Sequence, residues 1–269
     1  MINKGIGATT HVDRHNCRIT KEALEKAAFD IKNSGSVPQI GLNHDKTIMP
    51  LGKIIDANVT LRNDGEYQLE IFEDVFDEEY TYKYKNGMKL IENRSSIDTR
   101  PFTEEFDDYQ LTSVNVDRVN FEKEEDFNKF IEEINQYDNI EHAIIARKSL
   151  IPDPELVIKV GQSITGILLC KRVYDSIGDR VLDKLLSEID KFYDMVRNLI
   201  VKYSQLAIPK NRPQTYVFNL KDDFTIELII VTNKPNEVMT AIEKDKLILI
   251  NKKVEDLKSH FSIKRIQFI

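Results

Sequence analysis

The sequence predicts an α+β protein: a mostly antiparallel, β-rich N-terminal part, a long central helix, and a small C-terminal β-β-α-β module. Three observations carry that prediction. Short strand-like runs fill the N-terminal part, with Asp64-Gly65 between two of them as a hairpin signal. A stripe of apolar residues spaced by four and three runs from Val181 to Leu206. Beyond Pro213, two apolar runs, a helical pattern and a last apolar run follow in order.

Taken along the chain, VDRHNCRIT opens the N-terminal part and TKEALEKAAFDIKNSG reads as a short helix. Thr20 is placed to cap it, Leu24, Ala27, Ala28 and Ile31 form its apolar face, and Gly35 follows its end. VPQIGLN, LGKIIDANVTL and EYQLEIFE read as strands, the last two joined by RNDG. DEEYTYKYKNGMKL is ambiguous between helix and loop, with Asn86-Gly87 marking a turn or a helix end. Two further strands are expected in NRSSIDTRPF and YQLTSVNVDRVNF. EKEEDFNKFIEEINQY is a polar helix with Phe127, Phe130, Ile131 and Ile134 on one face, and IEHAIIARKSLIPDPE continues as a strand and a turn.

The strongest helix spans residues 173–206. Val181, Leu185, Ile189, Phe192, Val196, Leu199, Tyr203 and Leu206 make a seam close to a heptad repeat. Such a seam is either buried against its own domain or free to form a homo-oligomer. After Pro209 and Pro213 come strands in TYVFNL and TIELIIV, one helix over residues 236–261, and a strand in IKRIQFI. The expected domains are residues 1–121, a connecting helix and strand over 122–150, and a helical plus α+β module over 151–269.

Composition narrows the function. With 41% hydrophobic and 31% charged residues the chain can build a core. A net charge of -7 with both signs interleaved argues against a nucleic-acid partner. Cys17 and Cys170 form no CxxC pair, so two reduced thiols in a cytoplasmic protein are expected. The N-terminal stretch has no apolar core of the signal-peptide kind, and the run Ile164 to Cys170 is too short to span a bilayer, so no membrane association is expected. The C-terminal half offers no Gly-rich phosphate loop, no HExxH and no spaced acidic cluster of the metal-binding kind, and no cofactor is expected. HVDRH places His11 and His15 around Asp13, but without helical context or further ligands it predicts no metal site. His260, among Lys252, Lys253, Lys258 and Lys264, reads as part of a solvated helix face.

His44, in IGLNHDKTIMPLGKI, is the histidine with chemical potential. As a general base it needs a nucleophile within hydrogen-bond reach and a group holding its other nitrogen. Ser95, Ser96, Ser113 and Cys17 are the candidate nucleophiles. ENRSSID, a strand-like stretch leaving a polar loop, suits a serine facing a cleft.

The order of features from Val12 to Val116 resembles the prohead (capsid-maturation) protease family of tailed phages, whose fold is related to the herpesvirus assemblins. In that family an Asp-rich strand and a short helix precede a strand carrying NHD or HD. A P-I-G-x-V strand, a hairpin, a helix and an S-I-G strand with the nucleophile follow. This chain offers Asp13 with RIT, the helix at residues 21–33, VPQIGLNHD, PLGKI, the Asp64-Gly65 hairpin, a Tyr-rich segment ending at Gly87, and RSSID. The resemblance implies that His44 is the catalytic histidine and Ser96 the nucleophile, with Ser95 in its place if the register slips by one. It implies acyl transfer to serine, with amides near residues 94–96 or in the following loop stabilising the oxyanion.

Two departures stand out. Asp98 replaces the glycine after Ser-Ile, and the strand that carries the family's acid reads QLTSVNV, with Ser113 or Asn115 nearest that place. The resemblance therefore supports two expectations. One is a serine endopeptidase acting on itself or on assembly partners. The other is a catalytically inactive protease-fold protein of interaction or assembly, phage-derived or part of a bacterial defence system, with a C-terminal sensing or docking module.

Overall fold

The structure is a computed structural model. It describes residues 2–13, 18–42, 45–76, 78–83, 89–94, 96–103, 110–138, 140–145, 154–169, 179–221, 224–260, 262 and 265–269. The fold is α+β, and the chain divides into two units, Met1–Asp107 and Asp108–Ile269.

The first unit comprises β1 (Ile2–Thr9), α1 (Lys21–Asn33), β2 (Gln39–Ile40), β3 (Gly52–Leu61), β4 (Tyr67–Val75), β5 (Glu78–Lys83) and β6 (Lys89–Arg94). The first four strands make an antiparallel sheet in the order β1-β4-β3-β2, and β5 pairs with β6 as a hairpin. The ambiguous Tyr-rich segment is thus strand on both sides of its Asn-Gly pair, which lies outside the described residues. The β3–β4 turn is closed by Arg62 and Glu66, whose backbones bond at 2.8 Å, and Gly65 supplies a φ of 86° that favours glycine.

Helix α1 begins where Thr20 Oγ1 accepts from the Ala23 amide at 3.2 Å, satisfying one of the donors a helix start leaves open. Its face of Leu24, Ala28 and Ile31 packs on Ala57, Leu69 and Ile71 of β3 and β4. Ala57 and Ile71 are cross-strand partners, so the period-2 strand face meets the helix stripe directly. Strand β1 lacks a pattern a reader could find. Most of its residues are exposed, and a Cβ at Gly7 would fall 2.9 Å from the Ile71 side chain. The segment VDRHNCRIT forms no strand among its described residues.

The second unit holds β7 (Thr112–Asp117), a 3-10 turn (Arg118–Asn120), α2 (Glu124–Ile134), β8 (Ile140–Ile145), β9 (Glu155–Val160), α3 (Gln162–Leu169) and α4 (Asp179–Leu206). It continues through β10 (Gln214–Lys221), β11 (Thr225–Thr232), α5 (Pro235–Ala241), α6 (Lys244–Lys258) and β12 (Arg265–Phe268). Its strands form one six-stranded mixed sheet, β12-β11-β10-β9-β7-β8. The break between units therefore falls upstream of residue 121. Strand β7 pairs with β8 and β9, so it belongs to the second unit, and residues 122–150 and the C-terminal module are parts of one body.

One core joins this sheet to its helices. Val114, Val116, Leu156, Ile158, Tyr216, Phe218 and Leu228 come from the strands, and Phe127, Phe130 and Ile134 from α2. Helix α4 contributes Ile189, Phe192, Val196, Leu199 and Tyr203, each 0–6% exposed, so this part of its heptad-like stripe is buried inside its own unit. The single helix expected over residues 236–261 is two. Ile242 is buried at the break, and its carbonyl accepts from the Tyr193 hydroxyl at 2.8 Å. A fresh helix starts on the Glu243 carbonyl, which takes the Leu247 amide at 3.0 Å. No helix among the described residues is long and apolar enough to cross a membrane.

Candidate functional site

Strand β6 ends at Arg94, and Ser96 opens the irregular stretch that follows, so it is not the strand-borne serine expected. His44 and Ser95 lie outside the described residues. Ser96 Oγ lies 2.8 Å from Asp74 Oδ2, to which it donates, and it accepts from the Asp98 amide at 3.2 Å. The Ile97 amide donates to the same Asp74 oxygen at 2.8 Å. Asp74 is 1% exposed. A buried carboxylate taking one hydroxyl and one amide stabilises its own charge, because charge-assisted hydrogen bonds are roughly twice as strong as neutral ones.

QLTSVNV is the stretch where the resembled pattern places its acid. Ser113 and Asn115 are there, but on β7 of the second unit. Within the first unit the acid is Asp74, at the end of β4 in EIFEDV. It lies one residue past the strand read in EYQLEIFE. That it meets Ser96 was not legible, because 22 residues and a hairpin separate the two.

The stretch after Ser96 is fastened to the sheet by two cations. Lys53, the cross-strand partner of Asp74, donates from Nζ to the carbonyls of Asp98 and Arg100 at 2.7 and 2.6 Å. Arg100 reaches the Ile31 carbonyl near the end of α1 at 2.8 Å and the Ile55 carbonyl at 2.7 Å. Ile55 sits where the β3–β4 register shifts, and such a bulge turns a carbonyl away from the ladder. Arg100 Nε also lies 3.0 Å from each Asp98 carboxylate oxygen. That guanidinium holds the Asp98 carboxyl below the usual carboxylate range. So Asp98, which departs from the glycine of the resembled pattern, is the partner of Arg100. Val37 completes the fastening, pairing in parallel with Phe102.

Gly52, the glycine of PLGKI, lies opposite Val75, and a Cβ there would fall 2.3 Å from the Asp74 carbonyl oxygen. Its lack of a side chain is what lets β3 approach β4 beside the carboxylate. A cavity of about 280 Å³ lies here, lined by Met49, Pro50, Lys53, Phe76, Ser96 and Phe102.

Elsewhere, the His11 ring nitrogens lie 3.2 Å from Asp64 Oδ2 and 3.1 Å from Thr9 Oγ1. His15 lies outside the described residues. His260 Nδ1 lies 2.7 Å from Ser259 Oγ, at the end of α6.

The second unit has a polar feature that sequence reasoning missed. Ser113, Lys159, Asn219, Glu227 and Gln267 are successive cross-strand partners from β7 through β9, β10 and β11 to β12. They alternate with the core-facing residues of the same strands. Asn219 and Glu227 are fully buried, and Glu227 takes hydrogen bonds from Arg265 and Gln267. Each strand contributes one residue to it, and the row exists only once the register is known.

No family model, curated protein or solved structure matches the chain.

Proposed function

We propose that the chain is a non-catalytic, cytoplasmic interaction or assembly protein, its first unit a prohead-protease-like fold and its second a docking module. The observation that carries this reading is the state of Ser96. Its hydroxyl donates to Asp74 and accepts from Asp98, and the Ile97 amide is held by the same carboxylate. A serine protease needs its hydroxyl free to pass a proton to a base, and amides free to meet an oxyanion. Here the groups that would do this close a turn. Lys53 supports the reading, since two of its donors go to the carbonyls of that turn.

A second reading, a serine endopeptidase acting on itself or an assembly partner, is favoured by one fact: Ser96 lines a cavity. In that case substrate would displace the Asp74 contact and His44 would take the hydroxyl proton. Labelling with a fluorophosphonate probe and intact-mass measurement of the purified chain separate the two. The interaction reading expects no adduct and no time-dependent self-cleavage, in the native protein or in the Ser96→Ala and His44→Ala variants. An adduct that disappears in Ser96→Ala would sink it and establish the peptidase.

A further inference from the structure

The cavity beside Ser96 has a chemistry of its own. Met49, Pro50, Phe76 and Phe102 give it apolar walls, and among the described residues its lining carries one charged side chain, Lys53. An ammonium has three N–H donors. Two of them reach the carbonyls of Asp98 and Arg100, and the Phe102 ring centroid lies 5.7 Å from Nζ. One donor remains for an acceptor in the cavity. The neighbouring acids are already met: Asp74 by the Ser96 hydroxyl and the Ile97 amide, Asp98 by Arg100. A guest with an apolar body and an anionic end fits this lining.

Size and surroundings narrow the guest. At about 280 Å³ the cavity lies just below the small end of ligand pockets, which run from about 300 to 1,000 Å³, so it has room for one large side chain. The chain neighbours of its lining residues are exposed and apolar: Ile48 and Leu51 beside Met49 and Pro50, and Ile97 beside Ser96. Apolar surface therefore continues past the cavity, as a polypeptide would use and a small acid would not. From this we infer that the cavity binds the C-terminal residue of a partner polypeptide. The apolar side chain sits between Met49, Pro50, Phe76 and Phe102, and the terminal carboxylate accepts from Lys53.

The inference rests on reading the first unit as a binding module, and it has its own test. Fluorescence anisotropy of the full chain would be measured with a fluorescein-labelled heptapeptide ending in phenylalanine, as the free acid and as the C-terminal amide. The acid should bind about tenfold or more tightly than the amide, the size of a lost charge-assisted hydrogen bond. Lys53→Met should remove that preference. Because Lys53 also fastens the turn, Met49→Glu is the second variant. It leaves the lysine's bonds in place and sets an anion in the wall, and it should weaken the acid peptide at least as much, while Met49→Leu should retain binding.

Equal affinity for acid and amide, no binding of either, or unchanged binding by Met49→Glu would each overturn the inference. So would 3-phenylpropionate competing as strongly as the peptide, which would make the guest a small acid. None of these outcomes bears on probe labelling at Ser96, so a failure here is distinguishable from a failure of the functional reading.

Discussion

A methyl group at position 52 has nowhere to go. Its Cβ would fall 2.3 Å from the Asp74 carbonyl oxygen and 2.8 Å from the Val75 Cα, both backbone atoms that cannot rotate aside. Gly52→Ala therefore pushes β3 away from β4, and overpacking of this kind costs about 1–3 kcal/mol. Urea unfolding should show that loss, whereas Gly35→Ala, with nothing within 4 Å of the added carbon, should stay within about 0.5 kcal/mol of the native chain. An equal, negligible effect at both positions would refute the close-approach argument. The strain falls on the proposed site, since Lys53 follows Gly52 and Asp74 is one register step from it. At this scale the sequence was half legible. Lys53 of PLGKI and Ser96 of RSSID line the same cavity, but Asp74 was hidden because a carboxylate's partner is set by cross-strand register, not by spacing along the chain.

At the scale of elements, α4 was the most legible feature and the one with two meanings. A stripe close to 3.5 residues per repeat suits both a coiled coil and a helix laid on a sheet. Within one chain this part of the stripe is buried: Val196, Leu199 and Tyr203 are each 0% exposed. Self-association through this stripe would have to unpack the core. Leu199→Ala should then cost about 2–5 kcal/mol, as buried leucine truncations do. Its urea midpoint should be the same at low and high protein concentration. A midpoint that rises with concentration in the native chain and stops doing so in the variant would point to an interchain seam. Other elements were illegible for physical reasons. Strand β1 is mostly exposed, and the break between α5 and α6 depends on a Tyr193 hydroxyl 49 residues away in sequence.

Among the described residues each unit has its own buried apolar cluster, and the two differ in extent. In the first unit the buried cluster is α1 against part of one sheet: Leu24, Ala28, Ile31, Ala57, Leu69 and Ile71. In the second it extends from Val114 on β7 to Val254 on α6 and takes in residues of each helix from α2 to α6. The polar row from Ser113 to Gln267 adds register specificity there, because a one-residue slip of β10 or β11 would turn the buried Asn219 or Glu227 into the apolar core. The sequence showed the α+β class but not this partition. A reader following the chain joins β7 to the strands before it, whereas the sheet joins it to strands after it. Apolar burial is worth about 25 cal/mol per Å², so the unit with the smaller core has the smaller reserve against unfolding. Hydrogen exchange read by mass spectrometry at rising urea should therefore open peptides from β3 and β4 at lower denaturant than peptides from β9 and β10. Simultaneous opening of both sets would mean that the two cores unfold as one cooperative body.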